Sequence, residues 1–327
     1  ADAAQFDPES VVGFAAQVGG PQGHTAILAR ALGLPAVLGA NGILEGTHSG
    51  DPILIDGDNG RVVIHPSAEA VGAFRRRRGA RKQEERELRR LIDQPAVTRD
   101  GVRISLQANV ELPFEMLQLA GAGAQGVGLL RTEFLFMNRA TAPSEDEQYD
   151  VLREIVERAE GKPVTVRTLD LGGEKGDTAY VGQFGASANS PLGIRGIRLS
   201  LARPELLDTQ FRAILRAAAH GPVRILLPMV SAVSEVRAAR DCMLRAARRL
   251  HRRGTPIPTA LPPLGVMIEI PGAALTADAL ALCSDFFSVG SNDLTMYTLA
   301  IDRSDERVAT LYNPLHPGVL RMIQFAA

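Results

Sequence analysis

From residue 97 onward, short apolar runs alternate with longer amphipathic stretches, and this alternation constrains the fold more than any other feature of the chain. The runs lie at 102–108, 126–130, 164–166, 223–227, 264–268 and 286–289, with stretches of helical length at 111–119, 145–160, 204–219, 233–253 and 273–282 between them. A strand, a covering helix and a return to strand make a βα unit, and repetition of that unit builds a parallel sheet. Six such strands predict an α/β domain that is either an open doubly wound sheet or most of a (β/α)8 barrel. Aromatic residues are only 5% of the chain and Trp is absent, so the core must be aliphatic.

Upstream, residues 1–73 form a separate compositional unit, rich in Gly and short apolar runs. Strands are expected at 11–14 and 36–38, a helix at 25–32 ended by Gly33 with Pro35 beyond, and a hairpin at 52–55 and 62–64. Residues 74–96 are expected to be a linker, because 74–92 (FRRRRGARKQEERELRRLI) is almost wholly charged with both signs mixed. The basic run Arg75–Arg78 has no interleaved aromatic residue to stack on bases. A solvated helix laced with i,i+4 pairs, such as Glu85 with Arg89, accounts for it better. The third region is 97–327.

Composition excludes several classes of function. Thirty-six Lys plus Arg against 37 Asp plus Glu gives no general attraction to nucleic acid or an anionic membrane. No apolar run approaches the ~18 residues that span a bilayer. The first ten residues carry three acids and no base, unlike a signal peptide. The two cysteines, Cys242 and Cys283, lie far apart outside any CxxC pattern, which fits a reducing cytoplasm.

The chemistry is expected where the apolar runs end. Run 126–130 leads into Arg131-Thr132-Glu133, 164–166 into Arg167, 264–268 into Glu269, and 286–289 into Gly290-Ser291-Asn292-Asp293. In a parallel barrel these ends converge on the face where active sites are built. One polar strand end is usually only solvated, but four that mix arginines with carboxylates point to a shared purpose. Arginines grip a phosphate through bidentate hydrogen bonds, and Glu269 with Asp293 suits a hard divalent cation such as Mg2+. Gly121-Ala122-Gly123-Ala124-Gln125-Gly126 spells GxGxxG, yet it follows a helix and opens a strand, the reverse of a dinucleotide site.

In the first region a Gly-rich loop, 19–23, leads into the expected helix with His24 at the junction. A helix N-terminus holds phosphate and keeps an imidazole neutral and nucleophilic. The remaining histidines, His48, His65, His220, His251 and His316, carry no such flanks.

GGPQGHTAILARALGLPAVLG resembles the phosphohistidine swivelling motif of phosphoenolpyruvate-utilising enzymes. GVGLLRTEFLFMNR, VRTLDLGGEK, NSPLGIRGIR, GVMIEIP and SVGSNDLTMYTLAIDR are similar, in order, to barrel motifs of the phosphoenolpyruvate-protein phosphotransferases, enzyme I of the bacterial sugar phosphotransferase system. The resemblance implies a small swivelling phosphohistidine α/β domain joined to an incomplete (β/α)8 TIM-type barrel of about six of eight strands. It implies that His24 is the phosphorylated nucleophile. Arg131, Arg167 and Arg303 would bind the substrate phosphate, Arg195 would sit beside the substrate, and Asn292 and Asp293 would contact phosphoenolpyruvate. Glu269 and Asp293 would ligate Mg2+. A histidine phosphocarrier protein would be the second partner, and the full-length protein would be a cytoplasmic homodimer that neither binds nucleic acid nor inserts in a membrane.

The chain departs from the family pattern in three places. Gly23 stands where the family usually has Ser, and Pro191 is displaced by one position in the NPxLGxR motif. The segment also stops before the family's last two strands and its proton-donor cysteine, so the 327 residues alone are expected to lack turnover. The alternative from another class is an inactive fragment or regulatory paralogue that binds a ligand or partner without turnover. A metal-dependent aldolase or lyase on the same barrel is a third reading, one that leaves His24 without a purpose.

Overall fold

A computed structural model of the chain describes residues 11–18, 29, 33–119, 121–137, 139, 141–171, 191–302 and 308–327. The chain divides into two compact units, Ala1–Gln94 and Pro95–Ala327.

In the first unit β1 (Phe14–Ala16) pairs in parallel with β2 (Ala36–Leu38), and β3 (Ile53–Asp56) forms an antiparallel hairpin with β4 (Arg61–Ile64). The first strand starts later than the expected 11–14. Val12 is 89% exposed, whereas the Phe14 N–H donates to the Pro35 carbonyl at 3.0 Å. Gly33 has φ +66°, and the Leu34 N–H returns to the Ala29 carbonyl at 2.9 Å, as expected of a helix terminus. His24 and most of the helix expected at 25–32 lie outside the described residues. The charged stretch belongs to α1 (Ala68–Arg89), which Ser67 caps by accepting the Ala70 N–H at 3.2 Å. None of its residues is buried. Arg77 pairs with Asp56 at 3.4 Å and Arg81 with Asp58, so two of its bases lean on the hairpin. Glu85 pairs with Arg81 at 3.3 Å, one turn back, instead of with Arg89 as expected.

In the second unit the first expected strand, 102–108, divides. Residues 103 and 104 form β6 (Arg103–Ile104), an antiparallel partner of β5 (Ala96–Val97), while Ala108 opens β7 (Ala108–Val110). The cause is legible in exposure: Val102, Ile104 and Leu106 are each about half exposed, so the run never enters the core. The other runs form β8 (Val127–Leu130), β9 (Val164–Arg167), β10 (Val223–Leu227), β11 (Leu264–Ile268) and β12 (Phe287–Val289). Strands β7 to β12 make one six-stranded parallel sheet whose spatial order is the order of the chain. A doubly wound sheet reverses direction at a switch point, whereas sequential order curls one way around a barrel. The sheet is that of an incomplete (β/α)8 barrel, with six of the eight strands.

Strands β9 and β11 are buried along their whole length, as a sheet covered on both faces requires. The helices among the described residues are α2 (Met116–Leu119), α3 (Glu145–Arg158), α4 (Gly196–Ala202), α5 (Pro204–Ala217), α6 (Val233–Arg252), α7 (Pro271–Leu275), α8 (Ala277–Ala281), α9 (Ser291–Leu299) and α10 (Pro317–Ala326). Ser144 and Glu147 close α3 with reciprocal bonds of 3.2 and 2.8 Å, and Leu152, Ile155 and Val156 turn inward. On α6, Val236, Ala239, Met243, Ala246 and Leu250 repeat at helical spacing and are buried. Two expected helices are shorter than drawn. The 111–119 stretch yields a 3-10 turn and α2, because Pro113 and the Glu115 carboxylate, bonded to the Glu111 and Leu112 N–H groups, fix a tight start. The 273–282 stretch breaks at Thr276, whose hydroxyl donates back to the Gly272 carbonyl at 2.8 Å. Helices α4, α9 and α10 were not expected.

Candidate active site

The C-terminal ends of the parallel strands gather a buried charged cluster. Arg167 ends β9, with its side chain 8% exposed. Its Nη2 donates to Glu133 Oε1 at 3.1 Å, and its Nη1 lies 3.3 Å from Asp170 Oδ2. Arg195, at the N-cap of α4, grips Asp170 with Nε on Oδ1 at 3.1 Å and Nη2 on Oδ2 at 2.8 Å. The same Nη2 reaches Asp293 Oδ2 at 3.0 Å. Glu269, following β11, accepts the Met229 N–H on Oε1 at 2.6 Å.

Backbone and packing aim these groups. Met229 adopts φ +58°, an uncommon conformation for a side-chain-bearing residue, and it turns an N–H onto Glu269. Gly196 has φ +55°, and a Cβ there would come within 2.7 Å of the Met229 Cβ, so glycine lets α4 bring Arg195 close. A Cβ on Gly290 would meet Glu269 Oε2 at 2.7 Å, so glycine there makes room for the carboxylate. Gln210 of α5 joins the ends of β8 and β9: it donates to Thr132 Oγ1 at 3.1 Å and accepts the Leu169 N–H at 2.9 Å. The Tyr297 hydroxyl on α9 donates to the Pro191 carbonyl at 2.5 Å and lies 3.4 Å from Arg195 Nη1.

Burial works against the Arg167 charge, yet Glu133, Asp170 and Glu269 outweigh it and hold the guanidinium protonated more firmly than usual. Asp170 and Asp293 do the same for Arg195 against its burial. Glu269 is the opposite case. Burial, then the charges of Asp170 and Asp293, push its carboxyl up to about 8, despite Arg167 and the Met229 N–H. Four acidic side chains, Glu133, Asp170, Glu269 and Asp293, face two guanidiniums, and a divalent cation would relieve the excess.

Of the residues expected from sequence, Arg167, Arg195, Glu269 and Asp293 come together here. Arg131 pairs with Glu111 across the ends of β8 and β7, and its side chain is 30% exposed. Asn292 is exposed at the start of α9, where the Tyr312 hydroxyl lies 3.2 Å from its Oδ1. His24 and Arg303 lie outside the described residues. Asp170, Tyr297 and Gln210 went unremarked in the sequence. Asp170, three residues past the strand end that carries Arg167, offered a usable signal, while the other two sit at ordinary helical positions.

Among the described residues, no three His, Cys, Asp or Glu side chains form a metal cage. Glu269 and Asp293 fit Mg2+ in another way, since that ion commonly takes one or two carboxylates and completes its shell with substrate oxygens and water. Nor is any helix among the described residues long and apolar enough to cross a membrane.

Comparison with known proteins places the chain beside phosphoenolpyruvate-protein phosphotransferases. It is 41% identical over 98% of its length to that of Bacillus sp. (strain S), covering 55% of the relative. It is 42% identical over 99% of its length to that of Staphylococcus aureus (strain MSSA476), covering 56%. To that of Cupriavidus necator it is 44% identical over 99% of its length, covering 55%. The chain thus spans about half the length of the curated relatives it matches. With its charged site at the strand ends of an incomplete barrel, the chain belongs to the PEP-utilising enzymes, matching their PEP-binding domain over residues 85–327 and their mobile domain over residues 1–60.

Proposed function

We propose that this chain carries the phosphoryl acceptor and the phosphoenolpyruvate site of a phosphoenolpyruvate-protein phosphotransferase. The observation that carries the reading is the buried set Arg167, Asp170, Arg195, Glu269 and Asp293 at the strand ends. His24 attacks the phosphorus of phosphoenolpyruvate, an N–P bond forms as the P–O bond breaks, and the enolate released takes a proton at carbon to become pyruvate. The phosphoryl group then passes to a histidine of a phosphocarrier protein, in the cytoplasm. Arg167 and Arg195, with Arg131 and Arg303, bind and orient the phosphate and carboxylate of the substrate, and Asn292 contacts it at the rim. Preorganised guanidiniums in a buried site need no reorganisation as charge shifts, which is where the rate is gained. Glu269 and Asp293 would hold Mg2+, which supplies positive charge to the transferring phosphoryl oxygens. The domain limits that accompany this reading are 1–73 for the phosphohistidine domain, 74–96 for a linker and 97–327 for the barrel, and the full-length protein is proposed to be a homodimer.

The test is transfer of label. With 32P-phosphoenolpyruvate and Mg2+, the intact gene product that contains this segment should acquire an acid-labile, base-stable phosphoimidazole at His24. Undiminished labelling of His24→Ala would overturn the assignment.

A further inference from the structure

We propose that Asp170 is the positioning residue that sets both substrate-facing arginines, Arg167 and Arg195, and that it does so without being a ligand of the cation. This rests on the reading of the cluster as a phosphoenolpyruvate site. The two arginines arrive from different elements, one from the end of β9 and the other from the N-cap of α4. Their guanidiniums approach one carboxylate oxygen, Asp170 Oδ2, at 3.3 and 2.8 Å. Two like charges brought that close before any anion arrives repel one another in a poorly screened interior. A negative charge between them removes the repulsion and fixes their separation. Asp170 is built for that place, since its side chain is 2% exposed.

Three further features support the assignment. Both Asp170 oxygens are engaged by Arg195 in a bidentate grip, the geometry that fixes the plane of a guanidinium. The Asp170 N–H donates to Glu133 Oε1 at 3.0 Å, the same atom that accepts from Arg167 Nη2 at 3.1 Å, so its backbone is tied to the group that holds the other arginine. A Cβ on Gly196 would lie 3.3 Å from Asp170 Oδ1, so the glycine after Arg195 is what allows α4 to approach this carboxylate. Asp293 also touches Arg195, but no bond joins it to Arg167 among the contacts of the described residues. Among the described residues, Asp170 alone is seen to pair with both.

The test compares wild type, Asp170→Asn, Asp170→Glu and Glu269→Gln in the intact gene product that contains this segment. Side-chain guanidinium N–H signals of Arg167 and Arg195, followed by NMR with labelled arginine, should both lose their resolved positions in Asp170→Asn. The preference for phosphoenolpyruvate over inorganic phosphate should fall by at least about tenfold, because misplaced binding groups still attract anions but no longer match one shape. Taking the ratio of two anions largely removes the effect of the deleted charge on anion binding in general. Asp170→Glu, which keeps the charge but displaces it, should keep the signals resolved while the preference drops, and it carries the test if the Asn variant does not fold. Mn2+ should still raise the melting temperature of Asp170→Asn but not that of Glu269→Gln. Unchanged signals and unchanged preference would overturn the positioning role, and loss of the Mn2+ response in Asp170→Asn would make Asp170 a metal ligand. A wild-type chain that does not prefer phosphoenolpyruvate would sink the functional reading instead, while the arginine signals would still decide the role of Asp170.

Discussion

At the scale of one residue, Glu269, the proposed cation ligand, has its ionisation opposed by its surroundings. Its carboxyl is pushed up to about 8, above its ordinary value of 4.5, by burial and by two neighbouring carboxylates. A group raised in the folded state favours folding fully below its unfolded value, and that contribution is lost as pH rises through the folded value. The cation-free chain should therefore lose stability as pH rises from about 4.5 to about 8, by a few kcal/mol at about 1.4 kcal/mol per unit. Glu269→Gln cannot ionise and should melt higher than wild type at the alkaline end, with the gap closing toward acid. Adding Mg2+ should reverse the order, because only wild type then gains a bound ion. Thermal melts across pH, with chelator and with Mg2+, check both limbs, and a pH-independent gap would contradict the account. Gly290 supplies a second test. Its backbone has φ −82°, open to any residue, so Gly290→Ala should act by sterics alone, pressing its methyl against Glu269 Oε2 at 2.7 Å. Divalent affinity should fall by about tenfold or more, the usual cost of disturbing a ligand's support. An Ala variant that binds Mn2+ like wild type would show that Glu269 is not confined there.

At the scale of elements, two arginines of α5 and Arg253, just past α6, converge on the first turn of α3. Glu145 accepts from Arg212 at 2.5 Å, Arg216 at 2.8 Å and Arg253 at 3.0 Å, and these bonds hold its carboxyl below the usual range against the opposing effect of burial. Arg212 is only 10% exposed and keeps Asp208 as a partner, so Glu145→Gln would leave the three guanidiniums with one carboxylate fewer, not with none. A loss of about 1–3 kcal/mol in unfolding free energy is expected, the range for hydrogen bonds to a charged group, and urea titration reads it. A change below about 0.5 kcal/mol would place the cluster with ordinary surface pairs. Elements of this kind were legible in the sequence wherever burial was continuous. Strands β8 to β12 stand where their apolar runs do; β9 and β11 are buried along their length, whereas β10 exposes Arg224 and β12 is only partly covered. Legibility failed where tertiary pairing decided the outcome. The 102–108 run looks like one strand, but Ser105 and Gln107 interrupt it, and its two ends pair in different sheets with different partners. Helix α9 was missed because Asn292 and Asp293 at its start resemble loop residues. The site was legible through charge type at strand ends, which found Arg167, Glu269 and Asp293. Gln210 and Tyr297 were not, because they sit at ordinary helical positions and matter only through what they touch across the fold.

For the whole molecule, the division into Ala1–Gln94 and Pro95–Ala327 separates the site's described residues from the proposed acceptor. Arg131, Arg167, Asp170, Arg195, Glu269 and Asp293 all belong to the second unit, and His24 belongs to the first. The proposed reaction needs both, but capture of phosphoenolpyruvate needs contacts from one alone if the arginines and carboxylates are the whole grip. Binding and phosphoryl acceptance should then be separable by substitution. His24→Ala should bind phosphoenolpyruvate with Mg2+ within about threefold of wild type, since a neutral group that only attacks in the transition state contributes little to ground-state affinity. Arg167→Met should weaken binding by about a hundredfold or more, since it removes a charged donor and leaves Glu133 and Asp170 buried beside an apolar side chain. Arg167→Lys should recover only part of that loss, because an ammonium cannot reproduce the two-pronged geometry. Equilibrium dialysis with labelled phosphoenolpyruvate measures all three. A large affinity loss in His24→Ala would mean that the first unit helps form the binding site, and the division of labour between the units would have to be abandoned.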